Sequence, residues 1–311
     1  MNKLKFKLKN NKVILYIYVK FFVRFSKRHR DSGIYKTHYP IQAEKRHYYN
    51  EFGEKLNLKK PKNLNEKICF LKLFTYSDNA KVIQCTDKLR VREYVEQKEL
   101  RFLLNDLIAV YRNVLEIDWE VLPNKFVLKH NASSGKNFIC ENKEKYDKEE
   151  ILDKVSSWFD SDFGIWSMEP HYAKIKPCII CERYIESNSF LPYDYKISCF
   201  NGKAMFIGVY TDRDKIINHI FVDKEYNFLN IDTENHVESD LPPKPDNFHK
   251  MIKYAECLSE DFPLCRVDFY DDNGRVIFGE MTFTPAAGHY TTINNDALQY
   301  FGEKLVLCDV K

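Results

Sequence analysis

Two hydrophobic periods divide the chain. Residues 51–105 carry apolar side chains at helical spacing. Asn65-Glu66-Lys67-Ile68 opens a run with Ile68, Leu71, Leu73 and Phe74, and a second helix is expected near Asp87 with Val91, Tyr94 and Val95 on one stripe. From Asn124 the period shortens. Phe126-Val-Leu-Lys129 and Asn137-Phe-Ile-Cys140 read as strands on either side of a small polar loop, Asn131-Ala-Ser-Ser-Gly135-Lys136. Lys145–Trp158 is helical by pattern. Strands follow at 178–185, 194–200 and 204–210, the last two joined by Asn201-Gly202, a hairpin signal. The stretch 223–245 reads as loop and 248–258 as helix. A second hairpin runs through 266–270, a turn at Asp272-Asn-Gly274, and 275–280. Helices mixed with antiparallel hairpins, without strict βαβ alternation, predict an α+β protein.

Charge changes the picture at one end. The formal net charge of +3 conceals a tail, residues 1–30, with ten Lys/Arg and no Asp/Glu. Removing those ten from the 48 basic side chains leaves 38 against 45 acidic, so the body is acidic. That balance argues against a nucleic-acid partner. No window reaches the roughly 20 apolar residues of a membrane-spanning helix. Two readings of the tail stay open: a surface anchor held by aromatics and anionic lipid, or a helix packing Ile14, Ile17 and Phe21 on the body. The nine cysteines are odd in number, and several sit in apolar runs, so they read as reduced thiols used as small hydrophobes. Cys178 and Cys181 have no partner pair, and a spacing of three on a strand points them to opposite faces.

The chemistry concentrates in the second hairpin. Asp268 lies on one arm and Glu280 on the other, and strands joined by a short turn bring such residues side by side. Two adjacent carboxylates repel unless a cation separates them, and Mg²⁺ takes a few carboxylates together with phosphate oxygens. Arg266, two positions before Asp268, shares its face, where a transferring phosphoryl group needs positive charge. A surface hairpin with scattered charge would show the same spacing. Lys129, at the end of an apolar strand, must find a polar partner or leave the core. The loop after it offers Ser133, Ser134 and Gly135 to a phosphate, although the P-loop order is absent. Glu182 stands in an apolar run, either to hold a ribose or amino group or to face solvent.

In order, the segments are Asp87-Lys88, Phe-Val-Leu-Lys129 with Gly135 six residues on, Cys-Glu182-Arg-Tyr-Ile, Asp194-Tyr-Lys196, Arg266-Val-Asp268, and Phe-Gly-Glu280-Met-Thr282-Phe-Thr-Pro. Together with Asn-Glu-Lys-Ile at 65–68 and Asp-Asn-Ala at 78–80, this set resembles the ATP-grasp fold over residues 60–305. Specifically it resembles the TupA-like ATP-grasp family, associated with teichuronopeptide and capsular polysaccharide synthesis. The resemblance implies two α+β lobes gripping a nucleotide, preceded by a helical region. The expected divisions are a basic tail at 1–50, a helical region at 51–120, a small lobe at 121–190, and a large lobe with a metal site at 191–311. Lys88 and Lys129 would meet the phosphates of ATP, and Ser133, Ser134 and Gly135 would fold over them. Glu182, Tyr184 and Ile185 would form the adenine hinge, and Asp268 and Glu280 would hold Mg²⁺. Thr282 stands where many ATP-grasp enzymes place an asparagine, and it is the third metal candidate. Arg266, Lys196 and Arg213 are the catalytic candidates.

The expected activity is a carboxylate–amine ligation through an acyl phosphate. The substrates implied are a uronic acid of a surface polysaccharide and an amino acid. The expected location is cytoplasmic, at the inner membrane face through residues 1–30. A glycosyltransferase using a nucleotide sugar, and a non-catalytic nucleotide-binding module, are the alternatives. The glycosyltransferase leaves Lys129 and its loop without a role.

Overall fold

The computed structural model describes residues 33–159, 163–186, 192–211, 218–234 and 236–307. Arg213 and the basic tail lie outside them. Two short N-terminal helices, α1 (Gly33–His38) and α2 (Pro40–Phe52), precede α3 (Leu64–Phe70), α4 (Ala80–Thr86) and α5 (Val91–Gln97). The side chain of Asn63 caps α3 by accepting from Glu66 N–H at 2.9 Å. α5 begins at Val91, not near Asp87, because the Asp87 carboxylate accepts the Leu89 and Arg90 N–H groups in the turn before it.

A four-stranded antiparallel sheet is ordered β1-β4-β2-β3: β1 (Leu107–Tyr111), β2 (Phe126–His130), β3 (Asn137–Cys140) and β4 (Ile179–Arg183). β1 comes from sequence read as helical, yet it pairs with β4 as the sheet edge. Helix α6 (Lys148–Phe159) covers one face, burying Val155 and Trp158 against Phe126, Leu128, Phe138, Ile179 and Cys181. The single-turn α7 (Phe163–Trp166) follows.

A five-stranded sheet is ordered β7-β6-β5-β8-β9: β5 (Asp194–Phe200), β6 (Lys203–Thr211), β7 (Asn218–Val222), β8 (Leu264–Asp272) and β9 (Arg275–Thr282). β7 begins within the described residues at Asn218 and was not anticipated from the pattern. Asn201 and Gly202, and Asn273 and Gly274, all have positive φ, as two-residue hairpin turns require. α8 (Phe248–Ser259) and α9 (Asn295–Lys304) pack on this sheet. So do α3, α4 and α5: Leu64, Ile68, Val82, Val91 and Tyr94 belong to the same buried cluster as Tyr195, Ile197, Val267 and Phe269. Each such side chain contributes about 1.5–3 kcal/mol when buried. The helical region therefore shares the core of the larger sheet.

Strand alternation leaves a polar face on each sheet. Val267 and Phe269 of β8 enter the core, while Arg266, Asp268 and Tyr270 point the other way. On β2, Phe126 and Leu128 are in the core and Val127 and Lys129 turn outward. Tyr270, Val127 and Lys129 line a common cleft.

Candidate active site

The site grows from the strand register. Lys196 of β5 pairs with Asp268 of β8, and Asp268 pairs with Glu280 of β9. One row along, Ser198 pairs with Arg266 and Arg266 with Thr282. Residues two apart share a face, so six side chains from three strands stand as a grid. The bulge between Asp268 and Phe269 sets Gly279 opposite that step.

Every oxygen of the grid's two carboxylates has a cationic partner. The Arg266 guanidinium donates to both Asp268 oxygens at 2.7 Å and reaches Glu280 Oε1 at 3.3 Å and Thr282 Oγ1 at 3.1 Å. Lys196 Nζ lies 2.6 Å from Asp268 and 2.7 Å from Asp194. Lys88 Nζ lies 3.2 Å from Glu280 Oε2. Burial pushes the Glu280 carboxyl up, but Lys88, Arg266 and Lys196 outweigh it and hold the group well below the usual carboxylate range. Burial works against the Lys196 ammonium, and Asp194 with Asp268 reverses that and raises its pKa.

The smaller sheet contributes a second group. Lys129 Nζ bonds Glu182 Oε2 at 2.7 Å, and Arg92 of α5 approaches Glu182 Oε1 at 3.5 Å. Burial disfavours the Lys129 ammonium, but Glu182 more than compensates and its pKa rises. Lys88 also donates to the Ser133 carbonyl at 2.8 Å, which ties the loop after β2 to the grid. Ser133 is buried with its hydroxyl on His130 Nδ1 at 3.0 Å, whereas Ser134 and Gly135 are exposed. Val127, Ile139, Tyr184, Ile185 and Tyr270 line the apolar part of the cleft. Tyr184 donates to Glu141 at 3.3 Å.

The structure thus brings together Lys88, Lys129, Glu182, Lys196, Arg266, Asp268, Glu280 and Thr282. Sequence reasoning missed Arg92 and Asn105. Arg92 donates to the Asn105 carbonyl at 2.8 Å, and the Asn105 amide donates to the Arg183 carbonyl at 2.8 Å, so α5 is bonded to the end of β4. Neither stands in a strand or glycine motif that would have marked it.

A family model described as TupA-like ATP-grasp matches residues 66–306. The chain belongs to the TupA-like ATP-grasp family. Its α+β architecture of two antiparallel sheets with flanking helices is that of an ATP-grasp protein. Among solved structures, a D-alanine–D-alanine ligase from Bacillus anthracis complexed with ATP is 15% identical and covers 71% of this chain and 61% of its own, with a TM-score of 0.43. An L-amino acid ligase from Bacillus licheniformis is 12% identical, covering 81% and 57%, with a TM-score of 0.46. The ATP-grasp ligase PsnB complexed with a phosphomimetic precursor variant, Mg and ADP is 8% identical, covering 69% and 59%, with a TM-score of 0.36. The chain spans about three-fifths of the length of the first of these. Among curated proteins, none matches.

The donor set suits a hard divalent ion. Asp268, Glu280 and Thr282 offer oxygen only, on paired strands, and Mg²⁺ binds through one or two carboxylates plus phosphate oxygens. Asp268 and Glu280 are already bridged by one Arg266 nitrogen, so a single cation can span them. No helix among the described residues is long and apolar enough to cross a membrane.

Proposed function

We propose that this TupA-like ATP-grasp protein is an ADP-forming carboxylate–amine ligase. The observation that carries the reading is the cleft itself. Lys88, Arg92 and Lys129 line one space with Glu182 and Gly279, beside the Asp268–Glu280 pair and the apolar Val127–Ile139–Tyr270 walls. The named groups sum to five cations, Lys88, Arg92, Lys129, Lys196 and Arg266, against four carboxylates, Glu182, Asp194, Asp268 and Glu280. A nucleoside triphosphate offers the negative charge that such a site attracts.

In this proposal the apolar walls take adenine, with Tyr184 and Ile185 at the hinge, and Glu182 meets the ribose. Ser133, Ser134 and Gly135 form the loop over the triphosphate. Asp268, Glu280 and Thr282 hold Mg²⁺, which neutralises phosphate charge. The substrate carboxylate attacks the γ-phosphorus, the bond to the bridging oxygen breaks, and ADP leaves with an acyl phosphate formed. Lys88, Lys129 and Arg266 stabilise the charge that builds up. An amine then attacks the acyl carbon, and inorganic phosphate departs as the amide forms. Lys196 and Arg213 are assigned to the phosphate or acceptor end.

We divide the chain into a small lobe at 121–190, to which β1 adds its edge strand, and a large lobe at 191–311, whose core α3, α4 and α5 share. The substrates proposed are a uronic acid of a surface polysaccharide and an amino acid, met at the inner membrane face. The ten basic residues in 1–30 support the membrane contact.

The test is thermal unfolding with Mg·ATP or UDP-sugars, on the wild type and Glu280→Gln. Mg·ATP at 100 times its dissociation constant should stabilise the wild type by about 2.7 kcal/mol, with a smaller gain in the variant. A response to a UDP-sugar and none to ATP would replace the ligase with a glycosyltransferase.

A further inference from the structure

Arg92 stands in the first turn of α5, and its backbone belongs with the larger sheet. Its neighbours Val91, Tyr94 and Val95 lie in the buried cluster of Tyr195, Ile197 and Val267. Its guanidinium crosses to the smaller sheet. Nη2 donates to the Asn105 carbonyl at 2.8 Å, and Nη1 approaches Glu182 Oε1 at 3.5 Å. The Asn105 amide donates in turn to the Arg183 carbonyl at 2.8 Å. The guanidinium is thereby anchored at the end of the same strand whose carboxylate it faces.

Glu182 is buried on β4 between two cations. Lys129 Nζ of β2 lies 2.7 Å from Oε2, and Arg92 takes the side of Oε1. All three side chains line one space with Lys88 and Gly279.

The two cations are not equivalent. Lys129 also lines the apolar cleft with Val127, Ile139 and Tyr270. Its ammonium is a point charge on a flexible stem and can turn among acceptors, whereas the planar fork of Arg92 is fixed by the Asn105 carbonyl. In the ligase reading above, Lys129 meets the phosphates of ATP. Those oxygens then compete with Glu182 for one ammonium. A buried carboxylate that loses its cation is strongly destabilising, and a triphosphate nearby carries the same sign of charge. Of the pair on Glu182, Arg92 is the one that remains.

We propose that Arg92 is a positioning residue of the nucleotide site. Held on α5, it keeps Glu182 compensated when Lys129 turns to the triphosphate, and so releases Lys129 for ATP. The inference rests on the nucleotide reading and extends it, because Arg92 acts through Glu182 and not on the phosphates.

The experiment is a double-mutant cycle on the full chain, with the dissociation constant of Mg·ATP measured by calorimetry. Arg92→Met keeps an apolar stem and removes the charge, and Glu182→Gln keeps the shape of the carboxylate and removes its charge. Arg92→Met should bind Mg·ATP at least about tenfold more weakly than the wild type, because Lys129 stays on Glu182. In the Glu182→Gln background no carboxylate is stranded, so adding Arg92→Met should change the constant less than about threefold. The double variant should therefore bind more tightly than Arg92→Met alone. A direct contact between Arg92 and phosphate, or a merely structural role, predicts the same loss in both backgrounds. Arg92→Gln keeps an N–H for the Asn105 carbonyl and repeats the comparison whether or not the methionine variant folds. Equal losses in the two backgrounds, or wild-type affinity in the Arg92 variants, overturn the proposal while wild-type binding leaves the nucleotide reading standing. Absence of Mg·ATP binding by the wild type overturns that reading and this inference with it.

Discussion

Lys72 is fully buried, and its ammonium is the cation around which the N-terminal polar cluster is built. It bonds Glu44 Oε1 at 2.8 Å and the Ala287 carbonyl at 2.6 Å. His289 Nε2 lies 2.8 Å from the same Glu44 oxygen, and Cys69 Sγ lies 3.1 Å away. Glu44, Cys69 and His289 sit close enough to hold a metal ion, but the ammonium already neutralises the carboxylate. Ala286 and Ala287 have φ of 51° and 52°, a left-handed turn that costs non-glycine residues energy, and Lys72 ties down its carbonyl. Removing one member of a buried pair strands the other. Lys72→Met should cost about 3–5 kcal/mol in urea unfolding, and Glu44→Gln with Lys72→Met should cost less than the sum of the single changes.

Titration extends the same logic. Burial lowers the His171 pKa to about 3 and the His130 pKa to about 4, from an ordinary value of 6.5. Glu44 is lowered to about 2: burial opposes ionisation, and Lys72 and His289 outweigh it. Between pH 6.5 and these folded values the unfolded chain binds more protons, so stability is lost as the pH falls through that window. The two histidines act first, below about pH 6.5, and Glu44 adds its loss from 4.5 down to 2. The urea midpoint should decline from pH 6.5 to 4, less steeply in His171→Phe. A flat midpoint would mean the imidazoles are not held neutral.

At the scale of elements, close approach decides what substitution can do. Gly302 lies inside α9, where alanine would ordinarily gain about 1 kcal/mol. Here a Cβ would stand 2.1 Å from the Lys62 carbonyl oxygen and 2.7 Å from Asn63 Cα, both backbone atoms before α3. Gly302→Ala should therefore destabilise, by about 1–3 kcal/mol, and a raised melting temperature would show that α9 does not pack this tightly. Tyr94 Oη donates to the Leu258 carbonyl at 3.0 Å and thereby joins α5 to α8. α5 carries Arg92 on an element fixed from both sides.

Across the whole molecule, the two sheets keep separate cores, one around Phe126 and Trp158 and one around Tyr195 and Phe269. Polar links cross between them. Lys88 bonds the Ser133 carbonyl and Glu280, and Arg183 approaches Asp272 at 3.4 Å. A ligand in the cleft touches both sheets. Hydrogen exchange with Mg·ATP should slow amides in 127–140 and in 264–282 together. Protection of one segment alone would place the nucleotide elsewhere.

The chain's periodicity determined the hairpins at 126–140, 194–211 and 264–282. Period-two patterns and Asn-Gly turns act locally, and a strand hairpin fixes its own register. That register was enough to put Asp268 opposite Glu280 and Arg266 on their face, and ordered residues from Asp87 to Thr282 were enough for the family. Other features were settled only by the tertiary structure. β1 and β7 became strands because a neighbour offered an edge, not because Leu107–Tyr111 or Asn218–Val222 announced it. Arg92 reached Glu182 because α5 packs on the larger sheet and points back across the cleft, a relation between segments some 90 residues apart. Ser133 turned inward to His130 while Ser134 stayed out, in a loop whose Ala132 packs on Phe163, Tyr172 and Ile175. Local sequence sets which face a side chain takes on its own strand. Only packing sets what that face meets.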